Sequence, residues 1–156
     1  MIVQRHQIIA AIHDLWPDLI DGHASAPGHI YIPRTEYYAP GQDDFQRFVT
    51  QDWTGVIENI GYDINRWACT NYAAAMSVQA DLFVLWQLSL NVFEPSAMRE
   101  WALMEVWGTR FHGEPTSHAV NMVYMKDHAL WFFEPQTDNR AWRADPDRDT
   151  VHFIKL

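Results

Sequence analysis

The sequence contains a single cysteine, Cys69, among its 156 residues. One cysteine excludes an internal disulfide, and it excludes a zinc site built from several cysteines. A lone cysteine is usually a small buried hydrophobe. Only the residues around Cys69 can therefore indicate whether it acts as a nucleophile.

Clusters of positive charge are also missing. The chain has 11 Lys and Arg against 20 Asp and Glu, a net charge of −9, and no basic run. Phosphate binding requires clustered Lys and Arg. We therefore predict neither a nucleic-acid partner nor binding to an anionic membrane surface.

Long apolar runs are absent as well. No stretch approaches the ~20 apolar residues that span a bilayer. Residues 1–18 contain only a short apolar patch and no small-residue cleavage site. We expect a protein that is made and kept in the cytoplasm, or that is associated with a virion if a phage encodes it.

What the chain does have is typical of one globular domain covering residues 1–156. Its apolar fraction is 48% and its charged fraction 20%, enough to build a core. Eight tryptophans are present. They predict either a core rich in indoles or a carbohydrate-binding surface, and on the core interpretation Trp67 and Trp131 are buried.

Apolar spacing predicts helices in the first half of the chain and strands in the second. One helix covers residues 4–16 and ends at Pro17; a second runs from Asp43 or Asp44 to Gly61. A third, opened by Asp63 or Asn65, is rich in small residues and is expected to be central. Strands are predicted at 102–111, 118–125, 129–135 and 150–156. Helices followed by an antiparallel sheet give the class α+β.

The segment "HAVNMVYMKDHALWFFE" predicts a hairpin with His118 and Glu134 at its open end. A turn at Lys126–Asp127 makes the numbers of paired residues sum to about 252 or 253. At the first register His118 and Glu134 share a face at contact distance, and at the second they face opposite sides. Asn121 is a rival partner for His118, although strand alternation turns it to the other face.

Cys69 lies near the predicted start of the third helix. The positive end of the helix dipole favours a thiolate there, and so does an adjacent imidazolium. If Glu134 fixes the tautomer of His118, the other ring nitrogen is free to act as a base. The order nucleophile, histidine, acid resembles that of the papain-like cysteine hydrolases.

The segments "WACTNYAAAM", "HAVNMVY" and "FFEPQTD" resemble, more narrowly, a group of phage and bacterial proteins. That group is similar to the C-terminal cysteine-protease domain of Marasmius agglutinin. The resemblance implies a papain-like fold, with the nucleophile helix packed on the sheet. It also implies a Cys69–His118–Glu134 triad that cleaves a peptide or protein substrate without a cofactor.

Two departures from the family pattern concern the oxyanion and the metal. Asp63 stands where papain-like enzymes have a glutamine, so Asn65, Asn71 or backbone N–H groups around Cys69 are required to bind the oxyanion. Gln136 is a candidate amide behind the triad. Thr70 and Asn71 replace the acidic residues that the agglutinin group links to calcium, and no metal is predicted.

Alternatives remain open at this stage. His112, Glu114 and His118 form a conceivable metal set, but they lack standard ligand spacing. Transfer to an amine instead of water would use the same triad. A non-catalytic, phage-associated binding or structural module on the same fold is the main alternative to an enzyme, and Asp63 favours it. The sequence does not predict the oligomeric state.

Overall fold

A computed structural model describes residues 1–22, 27–50, 69–90, 99–134 and 140–156. Three helices lie within these ranges: α1 (Arg5–Leu15), α2 (Gln42–Thr50) and α3 (Cys69–Ser89). The strands are β1 (Ile2–Gln4), β2 (Ile20–Asp21), β3 (His29–Tyr31), β4 (Glu36–Tyr38), β5 (Leu103–Phe111), β6 (Glu114–Tyr124), β7 (Leu130–Glu134), β8 (Arg140–Arg143) and β9 (Thr150–Lys155). None of the described helices is both long and apolar enough to cross a membrane.

Seven of the strands form one sheet in the order β2-β3-β9-β5-β6-β7-β8. The pairs from β9 to β8 are antiparallel, whereas β2, β3 and β9 run parallel to one another. β1 and β4 make a separate antiparallel pair. The α+β class is therefore confirmed, with the correction that the sheet is mixed at the edge formed by the early strands.

The sheet separates two hydrophobic cores because side chains alternate between its faces. On one face, Ile8 and Ile12 of α1 pack with Val120 and Met122 of β6. On the other face, α2 and α3 pack with the next β6 residue, Val123, and with Phe133 of β7. The predicted packing of the third helix on the sheet is thus present, and α1 covers the opposite side.

Local sequence signals explain the helices well. The α1 bounds agree with the predicted 4–16, and the apolar residues Ile8, Ile9 and Ile12 form its buried face. α2 begins at Gln42, beside the predicted acidic cap, and is described as far as Thr50. α3 is described from Cys69 and continues to Ser89. The predicted starts of that helix, Asp63 and Asn65, lie outside the described residues.

The β6–β7 hairpin has a different register from the predicted one. Asn121 pairs with Phe133 and Tyr124 with Leu130, so the numbers of paired residues sum to 254. The loop has three residues instead of two, since Met125 and Ala129 close it by a backbone hydrogen bond of 2.9 Å. His128 adopts a left-handed φ of 66°, the usual geometry of a three-residue hairpin loop.

Two further expectations about strands were wrong. β6 begins at Glu114, four residues before the predicted start, and includes Pro115 within the strand. The polar segment "TDNRAWRADPDRD", which lies between the predicted strands 129–135 and 150–156 and was not expected to form one, contains strand β8, whose Trp142 pairs with Phe132. A short strand that buries one indole has too little periodicity to be seen in a polar stretch.

The tryptophans mostly serve the core where they are described. Trp16, Trp101 and Trp142 are buried, whereas Trp107 is 45% exposed. Trp131 is partly buried and packs against the α3-side core, less than expected. Trp67 lies outside the described residues.

Candidate functional site

His118 and Glu134 meet at the open end of the β6–β7 hairpin. His118 Nε2 and Glu134 Oε2 are joined by a hydrogen bond. The side chains retain only 19% and 10% of their exposure, respectively. A histidine–carboxylate pair that is largely shielded from water interacts more strongly than the same pair on the surface.

The contact is diagonal across the two strands. The observed register, extended by one residue, places Glu134 opposite Val120 on the face that Val120 shares with His118. Diagonal neighbours lie about 7–8 Å apart at their backbones, within reach of two long side chains. The pair therefore forms although the predicted register was wrong: the numbers of paired residues sum to 254, not to 252 or 253.

This contact has a chemical consequence for the ring. Nε2 is engaged by the carboxylate, so Nδ1 is the nitrogen that is left to exchange a proton with another group. A carboxylate also stabilises the imidazolium that forms when the ring accepts a proton. A histidine held in this way by a carboxylate has the geometry that a general base requires.

Gly108 lies directly across from His118 on β5. A Cβ at Gly108 would stand 2.1 Å from the Thr150 carbonyl oxygen and 2.8 Å from the Phe111 ring. The β5 ladder is also irregular between Gly108 and Arg110. A glycine is required here because the neighbouring strand and an aromatic ring occupy the place of a side chain.

Cys69 belongs to the stripe of α3 that faces the sheet. Ala73, Met76 and Ala80 are buried against the sheet, and Cys69 precedes them at the same helical spacing. The thiol is half-buried. It is not part of a disulfide, consistent with the single cysteine of the chain.

The height of Cys69 along β6 follows from one hydrogen bond. Asn121 Nδ2 donates to the Ala73 carbonyl oxygen at 2.9 Å. Four helical residues rise about 6 Å and two strand residues rise about 6.6 Å. Phe83, further along α3, packs against Trp101, which lies beyond the Leu103–Val123 pair, so α3 runs in the same direction as β6. Cys69 therefore lies close to the level of Ala119, the neighbour of His118.

The two candidate groups nevertheless belong to opposite faces of the sheet. Alternation from Val120 and Met122 puts the His118 side chain on the α1 face, whereas α3 covers the other face. Within the described part of the chain, no hydrogen bond joins the Cys69 thiol to His118. The structure thus assembles two members of the predicted triad and brings the third to the same end of the sheet.

Asn121 is not a partner of His118. It is fully buried and points to α3, so the prediction that alternation turns it away from the histidine is confirmed. Asn71, a candidate for the oxyanion, is exposed. It lies about 200° around the helix from Cys69, on the far side. Asn65, Gln136 and Asp63 lie outside the described residues.

The alternative metal set does not converge on one point. His112 occupies the turn between β5 and β6 with a φ of 53°, and its backbone N–H donates to Asp149. Glu114 is exposed at the start of β6. Among the described residues, no group of three His, Cys, Asp or Glu side chains is placed to hold a metal ion.

A buried carboxylate that sequence reasoning missed is Asp149, which is 1% exposed. It accepts hydrogen bonds from the backbone N–H groups of His112 and Asp145 and from the Trp142 indole. Its partners come from three segments of the chain, so nothing local in "DPDRD" distinguishes it from its neighbours. Asp149 organises the corner of the sheet.

Comparisons with protein families and with curated proteins add no functional assignment to these observations. No protein-family model matches the sequence. A search of curated proteins also gives no match.

Proposed function

We propose that the protein is a papain-like cysteine hydrolase that cleaves a peptide or related amide bond at Cys69. The observation that carries the proposal is the shielded His118–Glu134 pair, which leaves Nδ1 of an oriented imidazole for proton transfer. The position of Cys69 at the same end of the sheet supports it. The resemblance of the three sequence segments to cysteine hydrolases supplies the reaction class.

The chemistry proceeds in two steps. His118 accepts the thiol proton, and the thiolate sulfur forms a bond to the substrate carbonyl carbon. The C–N bond then breaks, and the amine leaves with the proton from His118. Water next attacks the thioester, giving a proton to His118 and releasing the carboxylic acid and the thiolate.

This reaction requires the thiol to reach Nδ1 of His118 from the opposite face of the sheet. The last described β6–β7 pair is Asn121 with Phe133, three residues along β6 from His118. Cys69 begins the described part of α3 at nearly the same height. Backbone N–H groups at this end of the helix are the donors that we propose for the oxyanion.

A non-catalytic binding or structural module is the second candidate. The observation that favours it is the placement of His118 and α3 on opposite faces of the sheet. In that case the histidine–glutamate pair serves the fold or a binding surface.

Alkylation by iodoacetamide separates the two candidates, because Cys69 is the only thiol in the chain. We expect native Cys69 to react between pH 6 and 8, where ordinary thiols are slow. His118→Ala should slow the reaction by roughly tenfold or more. His6→Ala, an exposed histidine on α1, is the matched control and should leave the rate unchanged.

Activity is tested with unfolded casein, followed by mass spectrometry of the new peptide ends. Cleavage by the wild type, with none by Cys69→Ser, would support the hydrolase. An alkylation rate that is indifferent to His118, together with intact casein, would establish the non-catalytic module instead.

A further inference from the structure

Asn121 is a polar residue buried at the interface between β6 and α3. Its side chain is 0% exposed. Nδ2 donates to the Ala73 carbonyl oxygen at 2.9 Å and lies 3.4 Å from both Ser77 Oγ and the Met104 carbonyl oxygen. Oδ1 is buried and has no hydrogen-bond partner among the residues that the structure describes.

Burying this amide costs free energy that an apolar side chain would not cost. Its presence therefore points to a role that requires a hydrogen bond. Leaving a buried amide oxygen without a partner costs free energy, whereas a leucine of similar volume would fill the same space without that cost. The surrounding contacts of α3 with Val123 and Phe133 are apolar. Apolar contacts are not directional, but the hydrogen bond to Ala73 fixes both the height and the rotation of the helix.

The place where the helix is fixed lies beside the proposed active site. Ala73 is one turn from Cys69, and Asn121 is three residues from His118 on the same strand. A shift of α3 along β6 would move the thiol by the same distance relative to the imidazole. Misplacement by about 1 Å is enough to lose much of the benefit of such a pair.

We infer that Asn121 is a positioning residue, whose bond to the Ala73 carbonyl sets where Cys69 stands relative to His118. This inference rests on the proposed function, since it gives the bond a role only if the thiol and the imidazole work together. A purely structural role for Asn121 predicts no change in how Cys69 reactivity depends on His118, whereas a positioning role predicts that this dependence is lost.

The test compares Asn121→Leu, Asn121→Asp and Asn121→Ser with the wild type, each with and without His118→Ala. For each pair we measure the ratio of Cys69 alkylation rates with and without the histidine, from pH 5 to 9. Val123→Ala is the matched control. It removes apolar packing from the same strand and the same face but leaves the Asn121 bond in place.

In any Asn121 variant that folds, judged by circular dichroism and a cooperative melt, the ratio should fall from roughly tenfold to about one. Its pH profile should coincide with that of His118→Ala alone. Val123→Ala should lower the melting temperature and keep the wild-type ratio. That difference separates the positioning of the thiol from a general loss of stability.

Three outcomes would overturn the inference. A folded Asn121 variant with the wild-type ratio would show that the bond does not position Cys69. Failure of all three Asn121 variants to fold would assign the residue to the fold itself. If His118→Ala leaves the wild-type rate unchanged, the proposed function fails and the inference falls with it, whereas the first outcome leaves the proposed function standing.

Discussion

Glu134 is a carboxylate at the end of β7 with only 10% of its side chain exposed. Its contact with His118 determines which ring nitrogen is engaged and which is free. A buried carboxylate is stable in such a place only when it is hydrogen-bonded or paired. At the scale of single residues, the character of the site is therefore decided by this pair.

We expect Glu134→Gln to lower the Cys69 alkylation rate in part and Glu134→Ala to lower it more. The amide keeps the shape and can still orient the ring, but it does not stabilise an imidazolium, and alanine does neither. Alkylation from pH 5 to 9, with and without a chelator, measures both effects. Wild-type rates in both variants would show that Glu134 does not act through His118, and a wild-type rate abolished by chelator would reassign the carboxylate to a metal.

Gly108→Ala should destabilise the protein by about 3 kcal/mol, a cost typical of overpacking. The new Cβ would lie 2.1 Å from the Thr150 carbonyl oxygen, and a backbone atom cannot move aside cheaply. Gly41→Ala is the control, because its Cβ meets nothing nearer than an Asp44 side-chain oxygen at 3.9 Å. Urea unfolding of both variants measures the difference. Equal stabilities would mean that β5 and β9 can separate at this point.

At the scale of elements, the corner formed by the β5–β6 turn, β8 and the turn before β9 depends on one carboxylate. Both oxygens of Asp149 accept hydrogen bonds, one of them from two donors. The adjoining turn is closed by Arg148 and Asp149 backbone N–H groups that donate to the Asp145 carbonyl oxygen. The β5–β6 hairpin, which carries His118, is thereby tied to the last strand.

Asp149→Ala should cost about 3 kcal/mol or more, since three donors in and around the core lose their acceptor. Asp149→Asn keeps one acceptor oxygen and should cost less. Asp147→Ala, an exposed change in the same turn, should stay within about 0.5 kcal/mol of the wild type. Thermal and urea unfolding check the ranking. Similar losses for Asp147→Ala and Asp149→Ala would contradict the role of the buried carboxylate.

At the scale of the whole molecule, the chain following β3 joins the two cores through two adjacent tyrosines. Tyr37 packs in the α1-side core and Tyr38 against the α3-side core. Burial raises the pKa of both phenols to about 12, and the Asp44 carboxylate adds to the rise for Tyr38. The Arg34 backbone N–H donates to the Tyr37 hydroxyl oxygen at 2.7 Å.

These shifts predict a loss of stability in alkali. An unfolded tyrosine releases its proton near pH 10, while the folded tyrosines keep theirs until about pH 12. The folded state thus binds more protons within that window, and stability falls as pH rises from 10 to 12. Tyr38→Phe should reduce the slope of stability against pH, as measured by urea midpoints at each pH. An unchanged slope would show that the phenol does not contribute to it.

The sequence by itself determined the class of the fold and most of its elements. The apolar spacing of Ile8, Ile9 and Ile12 and the block at Pro17 define α1, because a helix face and a proline are local signals. Alternation along β6 was sufficient to separate Asn121 from His118. The sequence also singled out His118 and Glu134 as a pair, because the position of the loop indicates which residues of the two strands lie near each other at the open end of the hairpin.

Only the tertiary structure decided the register, the outer strands and the faces of the sheet. A single left-handed residue, His128, changes the loop length and hence every pair in the hairpin. β8 depends on its pairing with β7, and the buried Asp149 accepts a hydrogen bond from His112, 37 residues away, so a local pattern encodes neither of them fully. Which face α3 covers, and so how the Cys69 end of the helix stands relative to His118, is fixed by the packing of its apolar residues in one of the two cores. Packing is a property of the assembled sheet, since apolar attraction specifies burial but not which side of a strand receives it.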